Sequence, residues 1–420
     1  MKSELRFKIF LTDFPFESLG IERELLERRK LENKVELAQA WCETPEEVIA
    51  AAGNPDVLLV HHAPITREVI EAMPGLKVIG RYGTGYDVVD LEAANENGVY
   101  LVNAPDYCVE EVSTHVIGLL ISLVRKIGYL HNFIMDEKWE NEDDFLRAGR
   151  ISRLKGKKLG LIGFGRIGQR VAFKAQAFGL KILVYTKGFA EDPGADSGGE
   201  FDRRGIGHDK EGIKYDREEI KQDRRVIGHD REGIKYDRPG VECDRRVIEH
   251  NREGIGHDRE GIEYDRPEVE CDRLGVEYAG LEELLEKSDF VSLHLPLTAE
   301  TEYLLGEKEF SLMKSEALLI NTSRGRIIRE EELAAALEKG LIAGAALDVF
   351  AHEPLGRGHP LLNLDSRKVV FTPHSAFYSE ESEMEVRKEV LAAALELLQG
   401  RKPNNLVNQE IWQDREDREG

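Results

Sequence analysis

Short runs of Val, Ile and Leu alternate along this chain with stretches whose apolar residues recur at helical spacing. The runs Lys8–Thr12, Val57–His61, Lys77–Arg81, Val99–Asn103, Lys158–Ile162, Lys181–Tyr185, Phe290–His294, Ala317–Asn321, Ala343–Asp348 and Val369–Thr372 predict strands. Their near-continuous apolar content suits strands covered on both faces. Between them, Pro45–Ala52, Leu91–Asn97, Gln169–Gly179, Leu281–Lys287 and Glu330–Lys339 read as helices, with two longer ones at Glu110–Asn132 and Glu380–Gly400. Alternation of this kind predicts an α/β fold with doubly wound parallel sheets. The strands are too many for one small sheet, so two Rossmann-like domains are expected.

One segment breaks the rhythm. From Asp202 to Tyr278 the chain runs in heptads such as DREGIKY, DRPGVEC and DRRVIEH. The apolar positions of each unit are the fifth and the seventh, whereas a coiled-coil seam needs spacings of three and four. Gly recurs at the fourth position, and Pro239 and Pro267 interrupt further. About half of the segment is charged, which leaves little apolar surface to offset the entropy of ordering. An extended or disordered insertion over 188–274 is expected. It sits where a strand-to-helix loop normally takes about 2–6 residues. Closure entropy grows slowly with loop length, so a surface insertion of this size need not unfold its host.

The 420 residues carry 58 Lys+Arg against 80 Asp+Glu, a formal net charge of −22. Such a surface repels nucleic acid and anionic membrane on average. No apolar run is long enough to span a bilayer, and the N-terminal stretch does not read as a secretory signal. Cys42, Cys108, Cys243 and Cys271 form neither a CxxC pair nor a disulfide framework, so a reduced, cytoplasmic chain is expected. His208, His229, His250 and His257 recur with the repeat, without the close spacing of ligands, and no metal site is expected.

Two constellations carry chemistry. Gly163-Phe-Gly165-Arg-Ile-Gly168 follows a strand and opens a helix. In that context the first Gly makes a tight turn, the second lets backbone approach a pyrophosphate, and the third allows close helix–strand packing. An acid is expected at the end of the next strand to grip a ribose. The strand ends instead in Tyr185-Thr186-Lys187, which leaves NAD and NADP both open. In the C-terminal third, Asn321-Thr-Ser-Arg324-Gly325, Asp348-Val-Phe-Ala-His-Glu353-Pro354 and Thr372-Pro-His374-Ser375 each follow a strand. Ligands on open parallel sheets bind beyond the carboxyl ends of strands, where these side chains would converge. Arg324 offers a planar fork for a carboxylate and carbonyl, His374 can give and take a proton near neutral pH, and Glu353 can orient the imidazole. Asp348 can accept a hydrogen bond from a carboxamide.

These segments resemble the D-isomer-specific 2-hydroxyacid dehydrogenase family, whose pattern combines GxGxxG with a later SRG, a D-V-F…E-P and a T-P-H. Thr372–Tyr378 and Val60–Thr66 are similar to the branch containing the C-terminal-binding proteins and phosphoglycerate-dehydrogenase-like enzymes. The resemblance implies a catalytic set of Arg324, Glu353 and His374. It implies substrate contacts from Gly83 and Gly85 in the loop Arg81–Asp87. It implies cofactor contacts from Thr84, Arg166, Ile167, Pro296, Thr298, Thr322, Ser323 and Asp348, beside Gly163, Gly165 and Gly168, with Thr186 in the place of the ribose Asp. It further implies a substrate domain of 1–109 and 376–420 and a dinucleotide domain of 110–375. The two long helices would cross over between them. A homodimer is implied, with Val116, Ile117, Leu119, Leu120 and Leu123 as interface or core. The expected activity is hydride transfer between NAD(P)(H) and a small D-2-hydroxy or 2-keto acid. The alternative is a dinucleotide-sensing dimeric scaffold.

Overall fold

The computed structural model describes residues 7–13, 18–186 and 275–413, which build two sheets. The first contains β1 (Phe7–Leu11), β2 (Val35–Gln39), β3 (Val57–Val60), β4 (Val78–Arg81) and β5 (Tyr100–Val102), in the order β2-β1-β3-β4-β5. The second contains β6 (Lys158–Ile162), β7 (Lys181–Tyr185), β8 (Glu277–Tyr278), β9 (Phe290–Leu293), β10 (Leu318–Asn321), β11 (Gly344–Leu347) and β12 (Val369–Phe371). Its order is β12-β11-β10-β9-β6-β7-β8. Every pairing within them is parallel. The chain is therefore an α/β protein of parallel sheets.

The helices are α1 (Gly20–Arg28), α2 (Pro45–Ala52), α3 (Arg67–Glu71), α4 (Leu91–Glu96), α5 (Val109–Arg125) and α6 (Ile127–Met135). They continue with α7 (Arg166–Ala177), α8 (Leu281–Lys287), α9 (Glu307–Leu312), α10 (Glu330–Lys339) and α11 (Glu380–Leu398). Side chains of a strand point alternately to its two faces, and the core divides accordingly. Ile9 and Leu11 enter one apolar cluster and Phe10 another; Leu318 and Ile320 likewise part from Leu319. One cluster lies on the outer face of each sheet. The third is continuous from the first sheet through α5 and α11 to the second.

The pattern reading differs from the structure in specific places. The single helix expected over Glu110–Asn132 is two helices, α5 and α6, bent by 62° at Lys126. Lys126 adopts a left-handed conformation, φ 57°, and its Nζ donates to the Arg367 carbonyl at 2.6 Å. The apolar spacing runs on through the break, so only packing reveals it. Val116, Ile117, Leu119, Leu120 and Leu123, read from sequence as interface or core, are buried within the chain itself and belong to its core. Edge strands β2 and β8 were not expected; Val35-Glu-Leu-Ala-Gln carries too little apolar residue to read as a strand, and β8 is two residues long. Lys187, the insertion over 188–274 with its repeat histidines, Cys243 and Cys271, and the acidic tail from Asp414 lie outside the described residues. Among the described residues no single helix is long and apolar enough to cross a membrane.

Helix α5 leaves β5 and packs on β10, β11 and β12, whereas α11 follows β12 and packs on β4, β5 and α1. A buried ion pair fixes α11. Arg387 places Nη2 at 2.6 Å and Nε at 2.8 Å from the two oxygens of Glu22 on α1. Removing one member of such a pair costs about 3–5 kcal/mol, because the other stays buried and uncompensated. The Tyr82 hydroxyl donates to the same carboxylate at 3.2 Å, so this pair also anchors the loop that follows β4.

Candidate active site

Strand β6 runs straight into the glycine-rich turn. Gly163 sits at φ 96°, and a Cβ there would lie 2.3 Å from the His294 carbonyl oxygen, so only glycine lets this turn pass beneath β9. Gly165 stands at the start of α7 without any side-chain cap, and nothing lies within 4 Å of where its Cβ would be. The first N–H groups of α7 are thereby left for an anion. Two buried polar atoms beyond the ends of β9 and β10, His294 Nε2 and Thr322 Oγ1, have no hydrogen-bond partner. Burial of the His294 ring pushes its imidazole down to about 3, so it is neutral. An approachable helix start and orphaned polar atoms along one sheet edge fit a dinucleotide.

The remaining residues expected at the cofactor occupy the same edge or its rim. Ile167 packs into the core beneath the turn. Arg166 pairs through Nη1 with Asp106. Thr186 follows β7 half-buried, and Pro296 and Thr298 lie in the exposed turn after β9, joined by Thr301 Oγ1. Ser323 Oγ donates to the Leu293 carbonyl at 2.6 Å. Thr84 stands on the first-sheet side, its hydroxyl on the Ala104 carbonyl at 3.1 Å.

Arg324, Glu353 and His374 each follow a strand of the second sheet. Buried Asn321 accepts from the Ser323 N–H at 3.0 Å and donates to the Arg324 carbonyl at 2.9 Å, which shapes the turn carrying Arg324. A Cβ on Gly325 would lie 1.9 Å from the Phe350 carbonyl carbon, so the Arg324 turn and the Phe350–Glu353 turn pack backbone to backbone. Glu353 Oε2 is 2.6 Å from His374 Nδ1, and its Oε1 accepts from the Phe350 N–H at 2.8 Å. Burial alone would raise the Glu353 carboxyl. The hydrogen bond and charge of His374, with the Phe350 N–H, outweigh it and hold the group below its ordinary value. His374 has φ 50°, and its backbone N–H donates to the Asp348 carbonyl at 2.7 Å.

Asp348 also shapes the neighbouring turn. Its buried carboxylate accepts from Thr372 Oγ1 at 2.5 Å and from the Ser375 and Ala376 N–H groups at 2.9 Å each. These bonds hold the His374 turn, and His115 joins them through Thr372 Oγ1 at 3.0 Å. These three donors leave one acceptor site of about four, on Oδ2, for a carboxamide N–H.

The opposite rim belongs to the first sheet. Gly83 and Gly85 lie against two guanidinium groups: a Cβ on Gly83 would overlap Arg81, and one on Gly85 would stand 1.7 Å from Arg324 Nη2. Arg324 Nε and Nη2 bond Asp87 Oδ1 at 3.1 and 2.9 Å. Burial would raise the Asp87 carboxyl, but the charge and hydrogen bonds of Arg324 dominate and lower it. Arg81 is 9% exposed, donates from Nη1 to the Tyr82 carbonyl, and leaves Nε buried without a partner. Asp13 accepts from the N–H groups of His61, His62 and Ala63, presenting His62 with its ring centroid 6.1 Å from that of His374. His61 is driven down to about 2, first by burial and then by His62, Arg81 and His374. Arg81, Asp87, His62 and Asp13 were not picked out as site residues from sequence. Arg81 and Asp87 bound the loop already expected at the substrate, and His62 and Asp13 stand two residues beyond β3 and β1.

Parallel strands ending in a glycine-rich turn at an open helix start define a dinucleotide-binding α/β protein, and the imidazole–carboxylate pair on the same edge adds proton transfer. Residues 117–202 and 247–376 match the D-isomer specific 2-hydroxyacid dehydrogenase, NAD binding domain. A glyoxylate reductase of Korarchaeum cryptofilum is 31% identical over 93% of this chain and 96% of its own length. A D-3-phosphoglycerate dehydrogenase of Methanocaldococcus jannaschii is 31% identical over 90% of this chain and 56% of that protein. Among solved structures, an acyclic imino acid reductase in complex with NADPH and D-Arg matches with a TM-score of 0.67 and 26% identity, over 95% of this chain and 99% of that one. The chain belongs to the D-isomer specific 2-hydroxyacid dehydrogenase family, whose members are NAD(P)-dependent oxidoreductases.

Proposed function

We propose that this enzyme interconverts a small D-2-hydroxy acid and its 2-keto acid. The observation that carries the reading is the 2.6 Å bond between His374 Nδ1 and Glu353, set beside Arg324 at the ends of parallel strands. The nicotinamide cofactor supplies or accepts the hydride. In reduction, Arg324 and the Gly83–Gly85 backbone hold the substrate carboxylate, and Arg324 also polarises the keto oxygen. Glu353 holds the Nδ1 side of His374, which leaves Nε2 to donate a proton to that oxygen as it gains charge. In oxidation Nε2 takes the proton back from the hydroxyl. Arg81, buried and short of a partner, adds positive charge beneath the substrate carboxylate.

In this reading 1–109 with 376–420 forms the substrate domain, 110–375 the dinucleotide domain, and α5 and α11 are the crossovers between them. Thr186, without a carboxylate, admits NADP as well as NAD. A cytoplasmic homodimer completes it, supported by exposed Ile127, Ile134, Met135, Trp139, Phe145 and Leu146 after α5. The test is a 2-keto acid panel run with NADH and NADPH on wild type and His374→Ala. Wild type should turn over at least one acid, and the variant should lose roughly 10²–10⁴-fold in kcat with cofactor affinity unchanged. Equal turnover by both proteins would remove His374 from the reaction.

A further inference from the structure

A guanidinium carries five N–H groups around a planar fork, and the partners of Arg324 divide them unevenly. Nε–H and one Nη2–H go to the single oxygen Oδ1 of Asp87, at 3.1 and 2.9 Å. One Nη1–H goes to the Ser323 carbonyl at 2.8 Å. What remains is one N–H on Nη1 and one on Nη2, and these lie side by side on the end of the fork. Two parallel N–H groups match two oxygens on adjacent carbons, which is the arrangement of a 2-keto acid, one from its carboxylate and one from its carbonyl.

Asp87 reaches Arg324 from the other sheet. It stands in the loop after β4, and Arg324 follows β10. Room for the pair exists only because residue 85 is glycine: a Cβ there would lie 1.7 Å from Arg324 Nη2 and 3.0 Å from Asp87 Oδ1. The carboxylate has 39% of its side chain exposed and the guanidinium 27%. Such a pair contributes little to stability, and its geometry is what matters.

We propose that Asp87 is a positioning residue that occupies the Nε edge of Arg324 and so turns the opposite, end-on pair of N–H groups toward the substrate's carboxylate and keto oxygens. It touches neither substrate nor cofactor and acts through Arg324. The proposal rests on the dehydrogenase reading above and adds to it which edge of the arginine binds and what fixes that edge.

The experiment compares wild type, Asp87→Asn, Asp87→Ala, Arg324→Ala and the Asp87→Ala/Arg324→Ala double variant. It measures kcat and KM on the best keto acid of the panel, NADH affinity by fluorescence, and thermal unfolding. Asp87→Ala should lose about 10- to 100-fold in kcat/KM, as expected for a lost charged hydrogen bond. Asp87→Asn keeps an acceptor oxygen of the same shape, folds like the parent, and should recover part of that loss. NADH affinity should stay within about twofold in each single Asp87 variant. In the Arg324→Ala background, adding Asp87→Ala should cost less than about twofold, because there is no fork left to position. Losses that multiply in the double variant would make Asp87 a structural residue independent of Arg324 and overturn the proposal. A lower KM in Asp87→Ala would overturn it too, by making Asp87 a competitor of the substrate. Unchanged kinetics in both Asp87 variants, with wild type active, would overturn this placement and leave the dehydrogenase reading standing. Wild type inactive on every keto acid would fell that reading, and the proposal with it.

Discussion

The two rims of the site are built on opposite principles. In the second-sheet turns that carry Arg324 and His374 the shaping groups are already paired: Asn321 bonds both ends of the Arg324 turn, Asp348 holds three donors, and Glu353 holds His374. On the first-sheet rim Arg81 leaves a buried nitrogen unpaired, and glycines stand where side chains would otherwise meet the guanidinium groups. A group that moves a proton works best when its geometry is set beforehand. A group that binds an anion gains most when the anion supplies its missing partner. The turns that hold the imidazole are set without ligand, whereas Arg81 lacks a partner that an anion would supply.

The sharpest way to break this contrast is Gly325→Ala. Its methyl would collide with the Phe350 backbone and push the Arg324 turn from the Glu353 turn. A misplacement of about 1 Å can cost 10²-fold, and kcat/KM should fall by roughly that factor with NADH affinity kept. Activity within twofold of wild type would show that the two turns need not touch. On the other rim, Arg81→Met removes a buried charge with an orphaned nitrogen. The expected outcome is a KM for the keto acid raised about tenfold, a loss of one charged contact, while the melting temperature holds or rises. A melting temperature that drops with KM unchanged would make Arg81 a structural residue.

The smallest effect is a pH dependence. The folded Glu353 carboxyl lies below its unfolded value of about 4.3, so its ionised form contributes stability above that pH and loses it as pH falls through the folded value. Glu353→Gln should therefore have a lower urea midpoint than wild type at pH 7. The gap should close as the pH falls below about 4. A gap that stays constant down to pH 3 would show that the His374 bond contributes nothing through charge.

Much of this architecture was readable from residue order. Val57–Val60 and Leu318–Ile320 are apolar without interruption because both faces of their strands are covered. Gly163 and Gly168 were readable because close backbone leaves room only for glycine, and Gly165 was readable from its place between them. Arg324, Glu353 and His374 could be singled out because each follows a strand in a short, distinctive segment, and the fold places all three beyond strands of the second sheet. The loop Arg81–Asp87 was expected at the substrate, but no role was read for the side chains of Arg81, Asp87, His62 and Asp13, since a single charged or imidazole side chain at a strand end has no pattern of its own. Their meaning lies in partners that are distant in sequence: Asp87 meets Arg324 237 positions away, and Asp13 meets His61 48 away. The bend at Lys126 was hidden because the apolar period does not register a left-handed residue.

The order of amino acids by itself determined the alternation of strand and helix, the parallel sheets, the nucleotide turn and the family, because each is written in local spacing that propensity and backbone sterics enforce. Which edge of Arg324 is free, that Asp348 holds the His374 turn, and that Arg81 is left short of a partner were decided only in the tertiary structure. Those facts depend on which groups lose water beside which others, and burial is a property of the assembled fold.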